Sequence, residues 1–259
     1  MSSAAARFGG RAYVVTGAAS GIGRATVERL AAEGAGVVAV DLDAARFDWA
    51  QGLDAVEILE GSVTETAVNE AAVARAVERF GTLDGVVLNA GVTGTPPLDG
   101  DLGPFDRTME VNVRGVVLGI RAAVPALRSN GSGSVVAIAS TSGMRGDPGM
   151  WAYNASKGAV INLVRAMSLD LAHEAIRVNV ACPGPTRTGM TTPLIDGLPE
   201  RGDAIVARVP MQRWGEAAEL AGAITFLLSD DASFITGAVL PVDGGVTAST
   251  GQFAPPGAP

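Results

Sequence analysis

Apolar residues run along this chain in two alternating rhythms. Ala12 to Thr16 is a short, continuous apolar run with the length and β-branched content of a strand buried on both faces. Ile22 to Ala32 then places its apolar positions three and four apart, as one face of a helix requires. The pair recurs: strands are predicted at Gly36–Asp41, Val56–Leu59, Gly85–Asn89, Ser134–Ser140, Arg177–Ala181 and Ala238–Val242, and helices at Thr66–Phe80, Phe105–Leu127, Met150–Ala172 and Ala217–Leu228. Seven strands alternating with helices predict a single-domain α/β fold, a Rossmann-like, doubly wound parallel sheet with helices on both faces. Neither a Ser- or Pro-rich linker nor an internal repeat divides the chain. The domain is therefore expected over 11–246, after an N-terminal extension 1–10 and before a low-complexity, flexible tail 247–259.

Composition narrows the classes of partner. The 259 residues carry a net charge of −8, which argues against nucleic acid or an anionic membrane as partner, since both demand a basic footprint. A mean hydropathy of +0.29 is more apolar than a lone soluble monomer needs and points to faces buried between subunits. Cys182 is the only cysteine, so neither an intramolecular disulfide framework nor a cysteine metal cluster is available, and it reads as a buried, inert thiol. Met1 to Gly10 lacks the apolar core of a signal peptide, and no run approaches the ~18 apolar residues of a spanning helix. A cytoplasmic protein is the expectation. His173, the only histidine, falls near the end of a long predicted helix and reads as structural.

Two groups of residues carry candidate chemistry, each at the carboxyl end of a predicted strand, where open parallel sheets bind ligands. Between the first strand and first helix lies Gly17-Ala18-Ala19-Ser20-Gly21-Ile22-Gly23. Its glycines permit a tight turn and close approach, and its backbone N–H groups, with the helix dipole, favour a phosphate. Asp41 ends the second strand 18 residues beyond Gly23, placed to accept hydrogen bonds from adenosine ribose hydroxyls and to repel a 2′-phosphate. The expected cofactor is NAD, with Arg24 and Arg46 as the counterevidence that leaves NADP open. The second group is Ser140, Tyr153 and Lys157. Four residues apart, Tyr153 and Lys157 share one side of a helix, where the ammonium can stabilise a phenolate whose ordinary pKa is about 10. Ser140 would anchor the oxygen of the same reacting carbon. These groups point to hydride transfer.

From Arg11 to about Val246 the chain resembles the short-chain dehydrogenase/reductase family in its compact one-domain form. The resemblance rests on Thr16-Gly17-x-x-x-Gly21-Ile22-Gly23, Leu88-Asn89-Ala90-Gly91, Asn112, Ser140, Tyr153-x-x-x-Lys157 and the Pro183-Gly184 turn, in that order. It implies Tyr153 as the acid/base, Ser140 as the hydroxyl that holds the substrate oxygen, and Lys157 as the group that lowers the tyrosine pKa and binds the nicotinamide ribose. Asn112 would help hold a water chain that relays the proton. It also implies a cofactor floor at Asn89, Ala90 and Gly91, and contacts to the nicotinamide carboxamide or pyrophosphate from Thr186 and Thr188. One position departs from the pattern: an aspartate common after the third strand is replaced by Ser62, followed by Val63, which removes a charge from the adenine contact. Relatives are commonly tetramers or dimers, so a homo-oligomer is implied.

The expected activity is therefore NAD-dependent interconversion of a secondary alcohol, apolar, cyclic or diol-type, with its ketone. Rivals are an NADPH-dependent reductase of ketones or 3-oxoacyl thioesters, and a non-catalytic dinucleotide-binding regulator on the same fold. Ser142, Met144, Trp151 and Met190 are the candidate substrate-pocket residues, with a lid over 189–213; Ser142 or Asp147 could take a second hydroxyl, and Arg145 or Arg187 a carboxylate. No metal site is expected.

Overall fold

The computed structural model describes residues 6–250 and Pro255. Seven parallel strands form the sheet: β1 (Ala12–Thr16), β2 (Gly36–Asp41), β3 (Val56–Glu60), β4 (Gly85–Leu88), β5 (Gly133–Ile138), β6 (Ile176–Pro183) and, beyond two short strands, β9 (Val239–Val242). Their order is β3-β2-β1-β4-β5-β6-β9, so the direction of winding reverses between β1 and β4, and a crevice opens above their carboxyl ends. Tyr13 pairs with Val37 on one side and Gly85 on the other, which sets the register of this central pair.

Alternation along each strand builds two cores. Val14, Val38, Val86, Val135 and Val180 face one side, where they pack with α2 (Thr66–Phe80), α4 (Gly115–Ser129) and α5 (Trp151–Leu171). Tyr13, Val15, Val37, Val87 and Val136 face the other, against Val27 and Leu30 of α1 (Gly21–Ala32) and Leu220, Ile224 and Leu227 of α8 (Ala217–Leu228). The strands read as continuous apolar runs because both faces are covered.

Four departures from the sequence reading have physical causes. The helix expected over Phe105–Leu127 is three pieces, α3 (Gly103–Met109), a π turn over Glu110–Arg114 and α4. The wider turn holds Asn112 inward, where it is buried, and a pattern of apolar periods cannot show one inserted residue. The N-terminal segment is not merely an extension, since Phe8 is fully buried edge-on against Tyr13. The stretch expected as a lid contains α6 (Thr192–Gly197) and α7 (Pro199–Val206), and β7 (Thr186–Arg187) pairs with β8 (Gly215–Glu216) at its base. Residues 247–249 of the expected flexible tail are tied to the body, with the Arg145 guanidinium donating to the Thr247 and Ser249 carbonyls at 2.6 Å each. Residues 251–254 and 256–259 lie outside the described residues.

Candidate active site

The glycine turn is built as a cradle. Gly17 has φ +63°, and a Cβ there would lie 2.8 Å from Ala90 Cα; a Cβ on Gly23 would lie 2.1 Å from the Gly17 carbonyl oxygen. Neither position has room for a side chain, so α1 starts hard against the turn. Ser20 caps α1 without a side-chain hydrogen bond, leaving the helix's first N–H groups, including those of Ile22 and Gly23, without an intrahelical acceptor. These features fit a pyrophosphate. Thr188, at the far end of the crevice, reaches this turn: a Cβ on Gly21 would touch its side chain at 3.3 Å. Thr186 is buried, its hydroxyl donating to the Gly184 carbonyl at 3.0 Å, and Gly184 in turn packs against Asp243, the residue after β9.

The turn is held by side-chain hydrogen bonds whose partners the sequence does not show. Thr16 Oγ1 accepts from the Asn89 N–H at 3.0 Å and the Ala90 N–H at 3.1 Å, stitching the ends of β1 and β4 at the switch point. The Asn89 amide then donates to the Thr16 and Gly17 carbonyls at 3.0 Å each, so its side chain supports the floor rather than facing it. Ala19 is clamped from both sides: its N–H donates to Asp41 Oδ2 at 2.9 Å, and its carbonyl accepts from the Trp49 indole at 3.2 Å. The other Asp41 oxygen accepts from the Leu42 N–H at 2.8 Å. Arg24 lies over the Trp49 ring at 5.1 Å and pairs with Glu28 at 2.8 Å. Ser62 shares a hydrogen bond with Thr64, and Val63 packs where a Cβ on Gly115 would stand.

Ser140, Tyr153 and Lys157 converge above the ends of β5 and β6. Ser140 follows β5, its hydroxyl accepting from the Ser142 N–H at 3.1 Å, which turns the chain into the next loop. Tyr153 and Lys157 project from the first turns of α5, and a Cβ on Gly143 would lie 2.5 Å from the Lys157 backbone, so the loop after Ser140 presses directly on that helix. Lys157 is buried, donates to the Ile138 carbonyl at 2.9 Å and sits 5.7 Å from the Tyr153 ring centroid. Gly91 closes the group: a Cβ there would stand 3.4 Å from Lys157 Nζ and 3.3 Å from Asn112 Oδ1. The Asn112 amide is fully engaged, accepting from the Val92 N–H at 2.8 Å and donating to the Val92 carbonyl and to Ser156 Oγ at 3.0 Å each.

Burial dominates the electrostatics. It pulls the Lys157 ammonium down to about 8, with Cys182 acting in the opposite sense, and pushes the Cys182 thiol up to about 11, which keeps it protonated. Tyr153 is raised above the ordinary phenol value, first by burial and then by the negative charge of Asp147, against the lowering effect of its hydrogen bond with Ser140.

The candidate pocket residues lie around this centre. Ser142 donates to Asp147, Met144 and Met190 are exposed, and the Trp151 indole is committed to the Pro96 carbonyl at 3.1 Å with its ring stacked on Phe105. Trp214 is buried, and His173 is exposed beside Glu174. Arg187 pairs with Glu216 at 3.4 Å, and Arg145 is turned to the C-terminal carbonyls, so neither is presented as a free carboxylate partner. Among the described residues no helix is long and apolar enough to cross a membrane.

Comparisons with known proteins agree with this geometry. Residues 17–247 match a family model described as enoyl-(acyl carrier protein) reductase. The chain is 40% identical to 2-(R)-hydroxypropyl-CoM dehydrogenase of Xanthobacter autotrophicus, covering 92% of this chain and 99% of that protein. It is 39% identical to meso-2,3-butanediol dehydrogenase of Serratia marcescens, covering 95% and 98%. The crystal structure of a levodione reductase superposes with a TM-score of 0.88 at 36% identity, over 93% of this chain and 99% of that one. A phosphate cradle at the switch point, a tyrosine–lysine–serine group beside it, and full-length similarity to dehydrogenases and reductases mean that the chain belongs to the short-chain dehydrogenase/reductase family, nicotinamide-dependent oxidoreductases acting on CH–OH groups.

Proposed function

We propose that the protein is an NAD-dependent dehydrogenase that interconverts a secondary alcohol, cyclic or diol-type, with its ketone. The observation that carries this is the convergence of the Tyr153, Ser140 and Lys157 side chains beside Gly91, at the open end of the same crevice that begins at the glycine cradle. Similarity to levodione reductase and meso-2,3-butanediol dehydrogenase supports the substrate class.

In the oxidising direction Ser140 Oγ holds the substrate oxygen and Tyr153 Oη takes its proton. A positioned acid/base of this kind contributes about 10²- to 10⁴-fold in rate. When bound, an oxidised nicotinamide supplies both the acceptor for the carbinol hydride and the positive charge that a raised Tyr153 needs to ionise. Lys157, anchored on the Ile138 carbonyl, adds its own charge beside the Tyr153 ring and would hold the nicotinamide ribose; below about pH 8 it is protonated. Asn112 acts by position, tying Val92 and Ser156 together beneath Lys157. Gly17, Ser20, Gly21, Ile22 and Gly23 would hold the pyrophosphate. Asp41 favours NAD, because its carboxylate is fixed at the end of β2 and the nearby Arg24 is already paired with Glu28. Leu169 on α5 and Phe234, 80% and 104% exposed, support burial of these faces in a homo-oligomer.

A screen of secondary alcohols, diols, sugars and hydroxysteroids with NAD, followed at the nicotinamide absorbance, tests the reading. Tyr153→Phe is expected to retain NADH affinity and lose at least about 10²-fold in turnover; a near wild-type rate overturns the assignment of Tyr153. Dissociation constants for NADH and NADPH test the cofactor, and tighter NADPH binding overturns NAD.

A further inference from the structure

The loop between Ser140 and Met150 carries only two charged residues, Arg145 and Asp147, and the fold uses them unequally. Arg145 is turned away from the reacting centre: both its terminal nitrogens donate to backbone carbonyls of the C-terminal segment, at 2.6 Å each. Asp147 stays at the centre. Its Oδ2 accepts from Ser142 Oγ, and Ser142 is itself fixed by the bond from its N–H to Ser140 Oγ at 3.1 Å. Its backbone carbonyl accepts from the amide of Asn154, the neighbour of Tyr153, at 3.0 Å.

Ser142 spends its hydroxyl hydrogen on Asp147, Asn154 spends its amide on the loop backbone, and Arg145 points to the C-terminal segment. What the loop leaves exposed is an acceptor, the carboxylate of Asp147. The negative charge is near enough to bear on the reacting group, since it opposes ionisation of Tyr153. An exposed acceptor that carries a negative charge is complementary to a hydroxyl donor and repels an anion.

We propose that Asp147, held in place by Ser142, is a specificity-determining residue that receives a second hydroxyl of the substrate, so that the enzyme takes uncharged diols or hydroxyketones and turns away anionic alcohols. This rests on the oxidoreductase reading above and names its substrate class. Met144, exposed on the same loop, and Met190 beyond β7 supply apolar surface for the remaining carbons.

Three four-carbon probes separate the possibilities: 2,3-butanediol, 2-butanol, which lacks the second hydroxyl, and 3-hydroxybutyrate, which is anionic. With NAD, kcat/KM for the diol is expected to exceed that for either comparison by at least about tenfold, the usual scale for one hydrogen-bonding or charge contact at an exposed position. Asp147→Asn keeps the shape and the bond from Ser142 while removing the charge; whatever it does to the rates of all alcohols through Tyr153, it is expected to raise kcat/KM for 3-hydroxybutyrate relative to 2-butanol by about tenfold. Asp147→Ala is expected to abolish the advantage of the diol over 2-butanol. Ratios unchanged within about twofold in both variants, or a wild-type preference for 2-butanol or the anion, overturn the proposal. If all three probes are inert while the alcohols of the screen that are oxidised lack a second hydroxyl, the diol assignment is overturned and the oxidoreductase reading stands. If no alcohol reacts at all, it is the oxidoreductase reading that has failed.

Discussion

Thr16→Val is an isosteric change that asks whether the switch point depends on one hydroxyl. Thr16 is 4% exposed, and its Oγ1 accepts from two backbone N–H groups, those of Asn89 and Ala90, while donating weakly to the Val87 carbonyl at 3.4 Å. Valine fills the same volume with a methyl group and leaves both N–H groups without a partner. An orphaned buried donor costs about 1–3 kcal/mol. Because Asn89 and Ala90 are only partly buried, the lower half of that range applies, or about 2–4 kcal/mol for the pair. In a chain of this size each 1 kcal/mol moves Tm by about 2–4 °C, so a loss of about 4–16 °C is expected. Thr16→Ser, which keeps the hydroxyl, is expected to recover most of it. Calorimetric unfolding measures the loss, and an NADH titration of both variants measures its local consequence, since Asn89 also fixes the Thr16 and Gly17 carbonyls. A Thr16→Val protein melting within about 1 °C of wild type would refute the accounting.

Two further outcomes follow from burial. Lys157 has a folded-state pKa of about 8, below its ordinary value, so the wild type carries a full desolvation penalty below pH 8 that is relieved as pH rises towards 10.5. The stability of Lys157→Met relative to wild type, from denaturant unfolding of the cofactor-free protein, should therefore fall by about 3 kcal/mol between pH 7.5 and 10.5, and a pH-independent difference would rule this out. Phe8→Ala empties a fully buried site against Tyr13 and should cost about 3–5 kcal/mol in the same assay, whereas a loss below about 1 kcal/mol would show the N-terminal segment to be dispensable.

The layered sheet, the cradle and the positions of Ser140, Tyr153 and Lys157 were legible in the chain itself. Each rests on a local rule: β-branched runs such as AYVVT favour strands, a three-and-four spacing favours a helix, and glycine admits the φ of Gly17. The tertiary structure alone decided what those elements do to one another. It set the π turn that points Asn112 at Val92, 20 residues away in sequence, and the tie from Arg145 to Ser249 across 104 residues. It placed Phe8 in the core and Lys157 in a buried site where its pKa falls to about 8. Periodicity reports which face of an element is apolar, while desolvation and hydrogen-bond partnership depend on which distant groups the closed fold brings into contact.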